Sequence, residues 1–380
     1  LSYALCRTLR GRNICLLLFS LVFYTWGEPK YVLLLLAMSF FDWFYALRIH
    51  RTKREGLRRL WVAMAVITNL GLLGFFKYSG MICSLFGPPP AMIARLTLPI
   101  GISFYTFQLL TYVVDVYRRE APAQKRYWHV LLYAALFHQC IAGPIVRYTT
   151  VADQIEHRKI TAAGFSEGCL FFLRGFNKKI LLANVLSELA DLAFGSGELS
   201  TGMAWLGALC YMLQIYFDFG GYSEMAIGLG KMLGFEFEKN FDYPYISGTV
   251  TEFWRRWHIS LGSWFRDYVY FPLGGSRVKS KALLVRNLFV VWLLTGIWHG
   301  AEWTFLLWGL MYGALITAEK LNDLPRKLKA PGRGWERGLY RGFTLLVVLL
   351  GWVLFRAENL GQAGAYLQTM FGLIGRPFAD

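Results

Sequence analysis

Residues Leu288–Trp308 read LFVVWLLTGIWHGAEWTFLLW. The run is apolar over the length needed to cross a bilayer, and His299 sits inside it among Trp, Leu, Val, Ile and Phe. An ionisable side chain is costly in that setting, which marks His299 as a candidate functional residue. The bland reading is an imidazole that hydrogen-bonds two helices. Burial disfavours the charged ring, and a neutral imidazole can accept a proton as a general base. Gly296 and Gly300 flank His299 and allow close helix approach or room for a ligand.

The bulk composition agrees with a membrane protein. The 380 residues are 56% hydrophobic and only 17% charged, whereas soluble domains carry about 25% charge. Mean hydropathy is +0.38. Ten apolar elements are expected: Ile14–Trp26, Tyr31–Leu47, Leu60–Tyr78, Leu98–Tyr117, Trp128–Val146, Phe165–Leu182, Met203–Phe219, Arg286–His299, Trp303–Ala318 and Phe343–Phe355. Several are short for a bilayer core of about 30 Å, so tilted and re-entrant pieces are expected. The fold class is therefore all-α, a polytopic transmembrane helical protein in one domain, 1–380. Leu1 is not a Met, so a preceding segment is expected.

The net charge of +16 lies in short loops between the apolar runs, such as Arg48–Arg59 and Tyr117–Tyr127. That is the positive-inside pattern, and no nucleic acid is needed to explain it. The loop Met81–Ala94 has no Lys or Arg and should face outward. Basic loops flank the hairpin Arg286–Ala318, so both its ends should be cytoplasmic. A helix from Arg286 to His299 rises roughly 20 Å, which carries His299 deep into the membrane. The six cysteines form no C-x-x-C pair and read as small buried hydrophobes.

A second histidine lies in Thr251–Gly275, TEFWRRWHISLGSWFRDYVYFPLGG. Read as one helix, Trp254, Trp257, His258, Leu261, Trp264, Phe265 and Tyr268 share a face. A basic, Trp-loaded amphipathic helix is expected to lie in the membrane interface, with His258 turned into the protein. Arg255 and Arg256 suit the phosphates of a cytosolic donor, although basic residues there also contact anionic lipid. Trp254 and Trp298, close in sequence to the two histidines, are further substrate-binding candidates. Two polar stripes, Gln108/Thr111/Asp115 and Tyr211/Gln214/Asp218/Tyr222, either line a cavity or join helices. Gln214, Asp218 and Tyr222 are the substrate-binding candidates among them. No phosphate-binding G-x-x-x-x-G-K-[ST] and no H-E-x-x-H occurs, so no metal is expected.

At these motifs the chain resembles the membrane-bound O-acyltransferase (MBOAT) family. It is most similar to the bacterial branch of alginate O-acetylation, peptidoglycan O-acetyltransferase and teichoic-acid D-alanyl transfer proteins. Phe253–Gly275 and Leu293–Gly309 carry the resemblance, supported by LPIGISFYTFQLLTYVVDVYR, AGPIVRY, FSLVFYTWGEP and the block Gln214–Tyr245. The resemblance implies tilted helices around a tunnel between the two membrane faces. It implies His299 as the catalytic histidine and His258 as the second functional one. It also implies further spans beyond Asp380 and a multi-pass protein of the bacterial inner membrane.

The expected activity is acyl transfer, with acetyl-CoA or another acyl thioester as donor substrate and no bound cofactor. The acceptor is expected to be a hydroxyl outside the cytoplasm, on a periplasmic or surface-anchored partner transferase. His299 would take the hydroxyl proton, while His258 would orient the thioester or donate to the oxyanion. An acyl-His intermediate is compatible with the same residues. The alternative is a proton-coupled transporter or channel with His299 and Asp218 as relay.

Overall fold

The apolar runs fold as helices in the computed structural model, which describes residues 2–328, 330 and 332–374. Among the described residues, four helices are long and apolar enough to cross a membrane: Val32–Arg51, Glu55–Ser84, Lys281–His299 and Gly334–Arg356. They contain or overlap four of the expected spans. Other expected spans fall on Leu9–Gly27, Ile102–Arg118, Thr201–Met232 and Trp303–Leu321. Phe165–Leu182 is a helix, Ala162–Asn177, that widens into a π-helical turn at Lys178–Ala183.

One expected span breaks. Trp128–Val146 is helical only over Tyr127–Ala135. Past that point the amides of Gln139 and Cys140 both bond back to Leu136 O. Gly143, with φ 110°, then precedes Pro144, which cannot donate to a continuing helix.

Two compact units result. The first comprises the residues up to Leu173 together with Ser223–Glu238. Val32–Arg51 packs there against Glu55–Ser84 and Ile102–Arg118. Gln108, Thr111 and Asp115 are all buried in this unit.

The second unit comprises Arg174–Tyr222 and the residues from Lys239 onward. Its centre is the hairpin Lys281–His299 and Trp303–Leu321, with Gly334–Arg356 packed on the second arm. Glycine makes the hairpin this tight. A Cβ on Gly296 would lie 2.6 Å from Phe305 O, and one on Gly309 would lie 2.6 Å from Trp292 O. The two backbones touch where a side chain would hold them apart, the small-residue packing that membrane helices favour. Trp257, Trp292, Trp308, Tyr312 and Trp352 form the aromatic core around it.

Gly309→Ala should therefore lower the thermal stability of the detergent-solubilised protein, with an overpacking cost of about 1–3 kcal/mol. Gly80→Ala, whose Cβ would meet nothing within 4 Å, should not. Equal melting temperatures for the two variants would contradict the close packing of the hairpin.

Candidate active site

The segment around His258 corrects the reading of Thr251–Gly275 as a single helix. Val250–Arg256 and Ile259–Phe265 are separate helices, followed by a π-helical turn, Arg266–Tyr270. His258 stands at the break with φ 46°, a left-handed conformation that non-glycine residues seldom adopt. Such strain persists only where surrounding structure imposes it. Here Asn240 imposes it. Its backbone O accepts from Ile259 N at 2.9 Å. Its Oδ1 accepts from Ser260 N at 3.2 Å and from Ser260 Oγ at 2.8 Å. The same Oδ1 lies 3.0 Å from His258 Nδ1.

The start of Val250–Arg256 is also fixed from outside. Glu319, 1% exposed, comes from the second arm of the hairpin. Its two carboxylate oxygens accept from Val250 N and Thr251 N, each at 2.8 Å. Thr249 Oγ1 takes the amide of Glu252 at 3.1 Å, and Thr249 O takes that of Phe253. All four opening amides of the helix are thus satisfied, and a buried carboxylate sits where the helix dipole favours it. Neither Glu319 nor Asn240 was among the residues selected from the sequence. Glu319 lies near the end of an apolar run, so the argument that singled out His299 applies to it equally.

His299 is the last residue of Lys281–His299 and is half-buried. Its ring meets Trp308 at 5.0 Å and Phe355 at 5.1 Å, both edge-on. Trp298 lies between the two histidines, with centroids 4.8 Å from His299 and 6.2 Å from His258. The structure thus brings both imidazoles to one indole. His258 is sealed more tightly, at 3% exposure, with Phe219 perpendicular to it at 4.7 Å. Its Nε2 is buried and has no hydrogen-bond partner among the described residues.

A cavity of about 490 Å³ opens beside this group, with Trp254, Arg255, His258, Trp292, Thr295 and Lys320 in its wall. Its volume is within the range of small-molecule sites. Arg255 is exposed at this cavity and has no acidic partner among the described residues. Lys320 donates to Tyr270 Oη at 3.0 Å.

The other expected residues lie elsewhere in the unit. Arg256 is held by Glu252 at 2.9 Å and Asp242 at 3.4 Å, so its guanidinium braces the kink. Asp218 bonds Lys179 at 2.6 Å and Gln214 at 3.1 Å, a half-exposed polar group apart from the cavity lining. Tyr222 is half-buried on the same helix.

Burial pushes the His258 imidazole down to about 3. A free histidine titrates near 6.5, so the unfolded chain binds a proton that the folded chain refuses. The sign follows: this contribution to stability is complete above about pH 6.5 and is lost as pH falls towards 3. Between pH 6 and pH 4 the wild type should lose about 1.4 kcal/mol per pH unit more than His258→Gln. Parallel stability profiles for the two proteins would contradict a sealed, neutral His258.

Two imidazoles thus stand near one indole, beside a cation-rimmed cavity in an apolar helical protein. Comparison with known proteins gives the class. Residues 118–330, more than half of the chain, match the family described as MBOAT, membrane-bound O-acyltransferase family. The chain is 44% identical over 373 residues to a protein of Pseudomonas aeruginosa named probable alginate O-acetylase, covering 95% of this chain and 70% of that one. It is 34% identical to a peptidoglycan O-acetyltransferase of Helicobacter pylori, covering 96% and 74%. It is 30% identical to a teichoic acid D-alanyltransferase of Bacillus subtilis, covering 71% of each. The chain belongs to the membrane-bound O-acyltransferase family. It is a polytopic membrane enzyme, an O-acyltransferase.

Proposed function

We propose that this enzyme moves an acetyl group from a cytosolic thioester, acetyl-CoA in the first instance, to an extracytoplasmic hydroxyl. The product would be an O-acetylated exported polysaccharide or cell-wall glycan. The acceptor hydroxyl would be carried by a periplasmic or surface-anchored transferase. The names of the relatives support acetyl over D-alanyl, since the acetyl-transferring ones match at higher identity and over more of this chain.

The observation that carries this reading is the cavity with Arg255 exposed on it and His258 in its wall, one indole away from His299. Arg255, exposed and without an acidic partner among the described residues, is suited to a donor phosphate, a contact at which Arg is favoured for its fork of donors. The thioester then reaches inward to Trp298. His299 takes the proton of the acceptor hydroxyl as its oxygen attacks the thioester carbonyl. The new C–O bond forms, the C–S bond breaks, and the thiolate recovers the proton from the imidazolium. The acetyl ester and a free thiol are the products. A half-buried base at the end of its helix can meet substrate, whereas the sealed His258 can only address a group already inside the cavity.

In proteoliposomes supplied with acetyl-CoA and a hydroxyl acceptor, free thiol should appear with the wild type. His299→Ala should lower the rate about 10²–10⁴-fold while donor binding persists. Arg255→Ala should raise the donor KM, whereas Arg256→Ala should act on stability. Wild-type turnover by His299→Ala would end the general-base assignment.

A further inference from the structure

The hydrogen bonds around Asn240 fix more than a backbone turn. Ser260 N is a backbone amide and can only donate, and it lies 3.2 Å from the Asn240 side-chain atom at Oδ1. That atom is therefore the carbonyl oxygen and not the amide nitrogen. An amide oxygen can only accept, so His258 Nδ1, 3.0 Å away, must carry a proton and donate it. In a neutral imidazole one ring nitrogen is the donor and the other the acceptor. Nε2 is then the acceptor, and it is the buried nitrogen without a partner among the described residues, in a residue that lines the cavity.

We propose that Asn240 is a positioning residue that locks His258 in the Nδ1–H form, so that Nε2 presents a lone pair to an N–H or O–H of the substrate. The inference rests on the acyltransferase reading for the identity of that substrate, but the tautomer does not. It decides between the two roles the sequence left open for His258. A ring whose Nε2 only accepts does not donate to an oxyanion; it orients a substrate group that carries a proton. The thioester arm or the acceptor hydroxyl supplies such a group.

The surroundings leave the assignment to Asn240. Phe219 stands perpendicular to the ring and Trp298 is tilted against it. Ser260 Oγ lies 3.4 Å from Nδ1 and itself bonds Asn240 Oδ1 at 2.8 Å. Of the charged side chains on the cavity, Arg266 is paired with Asp267, Lys320 donates to Tyr270, and Arg255 is exposed.

Two measurements test this. Nitrogen-15 spectra of the histidine-labelled wild type, with the His258 signals identified by their loss in His258→Gln, should show a pyrrole-like Nδ1 and a pyridine-like Nε2. A pyrrole-like Nε2 at neutral pH overturns the proposal whether or not the protein transfers acyl groups. The second measurement is the pH profile of thioester turnover. Asn240→Asp keeps the accepting oxygen but adds a charge that favours the imidazolium. It should retain activity within about tenfold at alkaline pH, and the pH at which the His258 nitrogens take up a proton in the spectra should rise by about one unit or more. Asn240→Leu should lose at least about tenfold in kcat/KM at every pH. Full activity in Asn240→Leu, or an unmoved His258 titration in the spectra of Asn240→Asp, overturns the proposal. Absence of turnover in the wild type itself would instead sink the acyltransferase reading and leave the spectra to decide the tautomer.

Discussion

The arrangement of this site hangs on one buried carboxylate. Glu319 sits on the hairpin arm that returns from His299 and grips the first amides of the helix that ends beside His258. In apolar surroundings an unsatisfied amide costs several kcal/mol, so these bonds have no inexpensive substitute. The helix cannot slide along the hairpin without stranding two N–H groups and a charge together. That ties the sealed imidazole to the arm whose partner helix ends at the half-buried one. Tyr340 Oη adds a third donor to the same carboxylate at 3.1 Å and draws the helix Gly334–Arg356 into the group.

Around that tie the protein builds a shell of aromatic rings. Trp254 meets Trp292, Trp308 and Tyr312 at centroid distances of 4.9 to 5.3 Å. Rings at such spacing fill volume and exclude water. The two imidazoles differ because they meet this shell differently. His258 is enclosed by it and held by an amide oxygen, which suits a fixed orienting group. His299 terminates its helix and keeps part of its surface open, which suits a group that must gain and lose a proton. One residue type thus stands in two environments that suit the two proposed tasks.

Much of this was legible in the sequence because cost is legible. A histidine in an apolar run, a Trp/Arg segment and glycines beside His299 all announce themselves through composition and period. The helices Lys281–His299 and Trp303–Leu321 are close to the runs that suggested them. The kink at His258 was not legible, because its aromatic residues recur at helical spacing on both sides. What breaks the helix is an acceptor at Asn240, distant in sequence, that outcompetes the helical carbonyls for the amides of Ile259 and Ser260. The same holds for Asp218. Its stripe suggested a cavity, but Lys179, from another helical segment, reaches it as a direct ion partner. Arg255 and Arg256 are adjacent and alike in sequence, yet one lies exposed at the cavity and the other is tied to Glu252 and Asp242. Pattern finds which residues are expensive; only the fold decides which partner each receives.

The central claim is that the cavity beside His258 delivers a thioester to the indole shared by the two histidines. The most direct measurement is a structure of the protein with an unreactive thioether analogue of acetyl-CoA. The account predicts the phosphate-bearing end beside Arg255, the arm within hydrogen-bond reach of His258 Nε2 and the acyl carbon against Trp298 on the side of His299. Density for the analogue outside this cavity, or an acyl end pointing away from Trp298, would contradict it.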